Sequence, residues 1–210
     1  KKINKPLVII NRKTILERII EIYQKDEKNC RFIILGGYRY KNLKKYIDKN
    51  FKFENLIVLN TGSNTPTAGR ILLAKNYIKS NNFCLTYGDS LTNFSLKKAL
   101  KLKNKKNFII SSYKKKSSFG QLSVKKSLIK NFNEKKTFEK INAGFYIFDK
   151  KIFEFIKSEK ENLETTVFKR ILKAKYKILE FEVSKWFPMD TLGNKLDLEI
   201  YTQVNDFIRT

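Results

Sequence analysis

The chain has 210 residues, 41% hydrophobic and 13% aromatic, enough for one fairly large domain with a real core and unlike a disordered tail. It has no histidine, and its two cysteines, Cys30 and Cys84, lack metal-ligand spacing; histidine catalysis, zinc sites and a disulfide framework are excluded. The net charge is +25, and no stretch approaches the roughly 20 apolar residues of a membrane span, so a reducing cytoplasm is the expected compartment and no membrane partner is expected.

Strand-like and helix-like runs alternate through the first two-thirds of the chain. Leu7–Ile10 reads as a short strand. Thr14 reads as an N-cap, after which Ile15, Leu16, Ile19, Ile20, Ile22 and Tyr23 recur at helical spacing. A buried-type strand over Arg31–Leu35 ends in Gly36-Gly37 and is followed by a short polar helix around Lys41–Ile47. Leu56–Leu59 is the next strand, then comes a loop rich in Thr, Gly and Asn, and then a helix from about Ala68 to Ile78. Phe83–Tyr87 is a strand closed by Gly88-Asp89, Ser95 caps a lysine-rich helix to about Leu102, and Phe108–Tyr113 is a further strand. Beyond Lys114, the segments Gln121–Val124, Leu128–Asn133 and Asn142–Phe148 read as short strands of an antiparallel insertion. Helices near Lys151–Lys157 and Glu164–Lys173, a strand at Ile178–Val183 and a helix over Gly193–Thr202 end the chain. The expected fold class is α/β: a Rossmann-like, mostly parallel sheet with helices on both faces, carrying a small antiparallel insertion, in a single domain over residues 1–210.

In an open parallel sheet ligands bind at the carboxyl ends of the strands, and three segments fall at such ends. The loop from Asn60 to Arg70 offers hydroxyls, glycines and the free amides of a helix start, which suit a base edge or an anion. Tyr87-Gly88-Asp89 puts a carboxylate where a hard divalent cation and phosphate oxygens could meet it, although a turn aspartate bonding its own backbone reads the same way. Trp186-Phe187-Pro188-Met189-Asp190-Thr191 holds a second aspartate that, alone, reads as a helix N-cap.

Taken together, in this order and across nearly the whole chain, these segments resemble the sugar-1-phosphate nucleotidyltransferases, most of all the glucose-1-phosphate cytidylyltransferases. That family carries a T-G-x-x-T-x-T-G-G-R loop, a strand ending Y-G-D, an E-K-P segment, an I-N-G-G-F strand and a final P-M-D-T. The resemblance implies that Asp89 and Asp190 bind Mg²⁺ and that Lys5, in Lys5-Pro6-Leu7, lies near the nucleotide α-phosphate. It implies that Thr61, Gly62, Thr65, Thr67, Gly69 and Arg70, with Gly88, hold the nucleotide, Gly69 lying close to the base. Lys135, in Glu134-Lys135-Lys136, would contact the sugar phosphate. Glu134, Asn142, Gly144 and Glu164 would shape the sugar site. The implied substrates are a nucleoside triphosphate, CTP favoured, and a sugar 1-phosphate, and family members commonly form homo-oligomers. No histidine is needed, because in-line attack on phosphorus asks for positioning and charge neutralisation.

Two departures are mild: Lys136 stands for the family's proline and Ala143 for its first glycine. A third is larger. The family opens with a strand and a G-G-x-G-T-R loop about 20 residues ahead of its lysine, whereas this chain begins at Lys1, so the expected form is an N-terminally incomplete copy with the first strand missing and little turnover. The basic charge leaves an alternative: a catalytically inert relative binding a polyanion. With seven arginines against 38 lysines, and lysines scattered as doublets, no specific nucleic-acid surface is expected.

Overall fold

A computed structural model describes residues 4–52, 54–116, 121–133 and 138–204. The chain starts with a single helical turn at Lys5–Leu7, and then β1 (Ile9–Ile10) and β2 (Lys13–Thr14) form a small hairpin. The expected strand at Leu7–Ile10 is thus split. Asn11 and Arg12 take the left-handed conformation that a two-residue hairpin turn requires, and the Asn11 side chain donates to the Glu199 carbonyl and the Thr202 hydroxyl.

Helix α1 (Ile15–Gln24) opens with a capping box: the Thr14 hydroxyl accepts from the Glu17 amide, while the Glu17 carboxylate accepts from the Thr14 amide at 2.6 Å. Its apolar residues split between two cores, Ile15, Ile19, Ile22 and Tyr23 facing one and Leu16 and Ile20 the other. Strand β3 (Phe32–Gly36), helix α2 (Tyr40–Asn50) and strand β4 (Leu56–Asn60) follow, with β3 and β4 paired in parallel. Helix α3 (Thr67–Leu73) stops earlier than its periodicity suggests and gives way to a separate turn at Lys75–Tyr77.

Next come β5 (Asn82–Thr86), β6 (Ser90–Thr92), α4 (Leu96–Leu100) and β7 (Asn107–Lys116). Strands β8 (Gln121–Lys125) and β9 (Leu128–Asn133) form the antiparallel insertion by pairing with each other. Strand β10 (Phe138–Asp149), α5 (Ile152–Phe155), a π-helical turn at Leu163–Val167, α6 (Phe168–Lys173), β11 (Lys177–Val183), β12 (Trp186–Pro188) and α7 (Leu192–Val204) complete the order.

The largest sheet has the order β11-β7-β10-β5, with β11 parallel to β7 and β10 antiparallel to both its neighbours. The residues Asn142–Phe148, expected in the insertion, therefore lie in a central strand. The reason is burial on both faces: Ala143, Phe145 and Ile147 pack on one side with α1, α4 and α7, and Tyr146 and Phe148 on the other with α3, α5 and α6. A strand without a polar face belongs inside a sheet covered by helices on both sides. Phe145, Tyr146, Ile147 and Phe148 are fully buried, each side chain contributing about 1.5–3 kcal/mol of hydrophobic stabilisation. The α/β class with helices on both faces is as expected. Strands β3 and β5 feed the same two cores, yet no ladder joins them among the described residues.

Burial pushes the Cys84 thiol up to about 12, so it acts as core rather than as a nucleophile. Among the described residues no helix is long and apolar enough to cross a membrane. Replacing Thr14 with Ala removes one half of the capping box and is expected to lower stability by about 1–2 kcal/mol in urea unfolding, with Thr14→Ser retaining most of it.

Candidate active site

Two short strands bring the distant aspartates together. β6 pairs antiparallel with β12, Ser90 opposite Pro188 and Leu91 opposite Phe187, and the Met189 amide extends the ladder by donating to the Asp89 carbonyl at 2.8 Å. Asp89 and Asp190 thereby flank one end of the ribbon. Between them lies the Lys5 ammonium, 3.3 Å from Asp89 Oδ2 and 2.7 Å from Asp190 Oδ1. The hydrogen bond to Asp190, opposed by partial burial and aided by Asp89, holds the Lys5 ammonium above the ordinary lysine range. All three side chains remain 40–63% exposed, so a ligand can reach them.

Lys5 is delivered by its neighbour. Pro6 packs on Gly88 so closely that a Cβ there would lie 2.8 Å from Pro6 Cγ. A side chain at Gly88 would push the opening turn, and its lysine, off the acidic pair.

Beside this pair, β10 carries a bulge between Asn142 and Tyr146. Gly144 there takes φ +79°, a left-handed conformation that favours glycine, and its carbonyl accepts from the Tyr87 amide at 3.1 Å. Asn142 is committed within the bulge: its side chain donates to the Tyr146 hydroxyl at 2.6 Å and accepts from the Gly144 amide at 3.0 Å. Burial pushes the Tyr146 phenol up to about 12, so it stays neutral. The Tyr87 hydroxyl is buried without a hydrogen-bond partner among the described residues.

The loop after β4 is held from within. Thr61, 3% exposed, bonds the Gly36 carbonyl through both its amide and its hydroxyl. The Arg70 guanidinium donates to that hydroxyl at 2.6 Å and lies over Gly37, where a Cβ would approach it to 2.4 Å. Thr61 and Arg70 are thus loop-fixing residues, while Gly62, with φ +80°, stays exposed and Thr65 partly exposed. Thr67 turns the other way: its hydroxyl donates to Glu164 Oε2 at 3.1 Å and accepts from the Leu163 amide at 2.8 Å. Gly69 is buried, and a Cβ on it would fall 1.9 Å from the Glu159 carbonyl oxygen. The bare face of this glycine admits the 159–164 segment.

The clamp that holds that segment has no signature in the residue pattern. Arg170 donates through Nη2 to Glu161 Oε1 at 2.6 Å and through Nη1 to Oε2 at 3.0 Å, and also to the Phe155 carbonyl. β6 and β12 were missed as well, although Trp186-Phe187 is an apolar, strand-compatible signal. Lys5, Gly88, Asp89 and Asp190 come together, Asn142 and Gly144 lie beside Tyr87, and Thr67 and Gly69 meet the segment bearing Glu164. Glu134 and Lys135 lie outside the described residues.

The chain has counterparts among known proteins. The sequence model of the nucleotidyl transferase family matches residues 1–200. The chain belongs to the nucleotidyl transferase family. A probable glucose-1-phosphate cytidylyltransferase of Bacillus subtilis is 32% identical over 221 residues, covering 93% of this chain and 87% of that protein. The glucose-1-phosphate cytidylyltransferase of Salmonella typhimurium is 27% identical over 228 residues, covering 93% and 86% respectively. In shape, the crystal structure of HddC from Yersinia pseudotuberculosis matches with a TM-score of 0.73 at 21% identity, over 96% of this chain and 91% of that one, a likeness of fold.

In this nucleotidyl transferase the Glu161–Arg170 clamp sets an acid limit on the site. Its hydrogen bonds to Arg170 and to the Lys157 amide lower the Glu161 carboxyl from 4.5 to about 2. A carboxyl lowered on folding stabilises the fold above its unfolded pKa and loses that contribution as pH falls through the folded one. Between about pH 4.5 and 2, wild-type protein is therefore expected to lose more stability than Glu161→Gln, as measured by chemical unfolding at stepped pH.

Proposed function

We propose that this nucleotidyl transferase moves a cytidylyl group from CTP to a sugar 1-phosphate, glucose 1-phosphate first among candidates, giving a CDP-sugar and pyrophosphate. The observation that carries the reading is the convergence of Asp89 and Asp190 on one ammonium, that of Lys5, at an exposed position. The choice of cytidine and glucose is supported by the names of the Bacillus and Salmonella relatives.

A phosphate oxygen of the sugar phosphate forms a bond to the α-phosphorus while the bond to the β-phosphate bridging oxygen breaks, and pyrophosphate leaves. The protein's share is orientation and charge. Lys5 lies against the two carboxylates, so its ammonium is suited to neutralise α-phosphate oxygens beside them as negative charge shifts. The exposed Gly62 turn and the part-exposed Thr65 face the solvent side of a loop whose core is locked by Thr61 and Arg70, a rigid rim suited to base and ribose. Glu164 is suited to accept hydrogen bonds from sugar hydroxyls, and Glu134 and Lys135 retain the sugar-site and sugar-phosphate roles that the resemblance implies.

Two carboxylates around one cation fit Mg²⁺, which takes one or two protein carboxylates and fills its remaining positions with water and phosphate oxygens. A larger protein ligand set is not needed; among the described residues no group of three or more His, Cys, Asp or Glu stands together. Asp89 and Asp190 would hold the ion, which when bound supplies neutralisation of the triphosphate charge.

Pyrophosphate release from each of the four common triphosphates with glucose 1-phosphate tests the reaction. CTP is expected to be fastest, with Asp89→Asn slower by roughly 100-fold or more; release no greater than that of the Asp89→Asn control with every triphosphate defeats the reading. Metal binding is tested separately on the 210-residue chain with Mn²⁺ followed by electron paramagnetic resonance. Lys5→Met, which removes the competing ammonium, is expected to bind Mn²⁺ about tenfold more tightly, and Asp190→Asn to abolish the gain.

A further inference from the structure

The loop residue Thr67 was expected to serve the nucleotide, yet its only side-chain hydrogen bonds among the described residues go to the opposite segment. A hydroxyl has one proton to give and two lone pairs to receive with. The Leu163 amide, at 2.8 Å, takes a lone pair, and the single proton is given to Glu164 Oε2 at 3.1 Å. Because the amide belongs to a backbone that cannot rotate freely, the direction of that proton is set. One oxygen of Glu164 is thereby engaged, while Oε1 makes no hydrogen bond among the described residues and is left to accept from a ligand.

The backbone under Glu164 is fixed just as firmly. Asn162 Oδ1 accepts from the Glu164 amide at 3.0 Å and from the Thr165 amide at 3.1 Å, capping the π-helical turn. Gly69, two residues beyond Thr67 and on the same helix, lets the Glu159 carbonyl press against α3. The segment therefore cannot shift away from Thr67 without opening this contact, and Thr67 Oγ1 holds one oxygen of the Glu164 side chain.

We propose that Thr67 is a positioning residue for the sugar side of the reaction: it turns the Glu164 carboxylate so that one oxygen faces the hydroxyls of the sugar 1-phosphate, and in doing so ties the nucleotide-loop helix to the sugar site. This rests on the reading of Glu164 as a sugar-binding carboxylate given above. The ligand chemistry is a vicinal hydroxyl donor pair on a pyranose, met by a charged acceptor that is already oriented.

The test is equilibrium binding of glucose 1-phosphate to the 210-residue chain by isothermal titration calorimetry, for wild type, Thr67→Val, Thr67→Ser, Glu164→Gln and the double variant Thr67→Val/Glu164→Gln, each first shown folded by its thermal transition. Thr67→Val is expected to weaken binding about tenfold and Thr67→Ser to restore it, since only the hydroxyl is at issue. The double variant is expected to bind no more weakly than Glu164→Gln alone, because Thr67 acts through that carboxylate. Additive losses in the double variant, or unchanged binding by Thr67→Val, overturn the positioning role. Unchanged binding by Glu164→Gln, or no binding by wild type at millimolar ligand, overturns instead the assignment of Glu164 on which the proposal stands. If Thr67→Val does not fold, Thr67→Ala in the same cycle takes its place.

Discussion

Two negative side chains cannot be held close together in a fold unless something forces the backbone and something cancels the charge. Here the force is the short β6–β12 ladder, continued by the Met189 amide onto the Asp89 carbonyl, and the cancelling charge is the Lys5 ammonium. The remaining parts of this half of the site depend on that arrangement. Gly88 has no side chain because Pro6 must lie on it to deliver the lysine, and the bulge at Asn142–Tyr146 gives Tyr87 a carbonyl to bond as its strand ends. The pair is surface-exposed, so its attraction alone contributes little to stability. Its importance is electrostatic placement: an oriented cation held against two exposed carboxylates at the end of a short ribbon.

The other half of the site is built on missing atoms. Gly37 leaves room for the Arg70 guanidinium, and Gly69 leaves room for the Glu159 carbonyl. At Gly37 a methyl group would collide with a guanidinium that already bonds Thr61, so the cost would be the loss of a network rather than of one contact; at Gly69 it would collide with the backbone of the facing segment. Arg70 then locks the loop through Thr61, and Arg170 locks the facing segment through Glu161. Two arginines, both spent internally, thus make rigid what glycines alone would leave loose. This limits how far the +25 charge can be read as a binding surface: some of the most strongly basic groups serve the fold.

Much of this was visible in one dimension. The run Phe83–Tyr87 announces a strand and Thr14 announces a helix start, whereas Asn142–Phe148 announces a strand without telling that it lies at the centre of the sheet. Three of the family-like segments, Asn60–Arg70, Tyr87–Asp89 and Trp186–Thr191, were legible because each reads as a polar turn next to a strand. What was not legible falls into two kinds. Elements two or three residues long, such as β6 and β12, have no periodicity to detect, because three positions cannot distinguish a strand from a loop. The direction of a side chain was also hidden. Thr67 sits in the middle of a loop motif, and nothing in the neighbouring letters says that its hydroxyl faces Glu164, 97 residues away.

The amino-acid order by itself settled the class of fold, through apolar runs alternating with amphipathic ones, and the chemical stock of the site: aspartates, lysines, glycines and hydroxyls, with no imidazole. Those are local properties, set by residue type and by spacing within a few turns of chain. Only the folded chain decided which aspartate meets which lysine, which glycine bears on a neighbour rather than on a ligand, and which face of Thr67 is occupied. These depend on contacts between segments distant in the chain, 84 residues apart for Lys5 and Asp89 and 97 for Thr67 and Glu164, whose geometry is fixed by the ladder, the bulge and the two arginine clamps acting together.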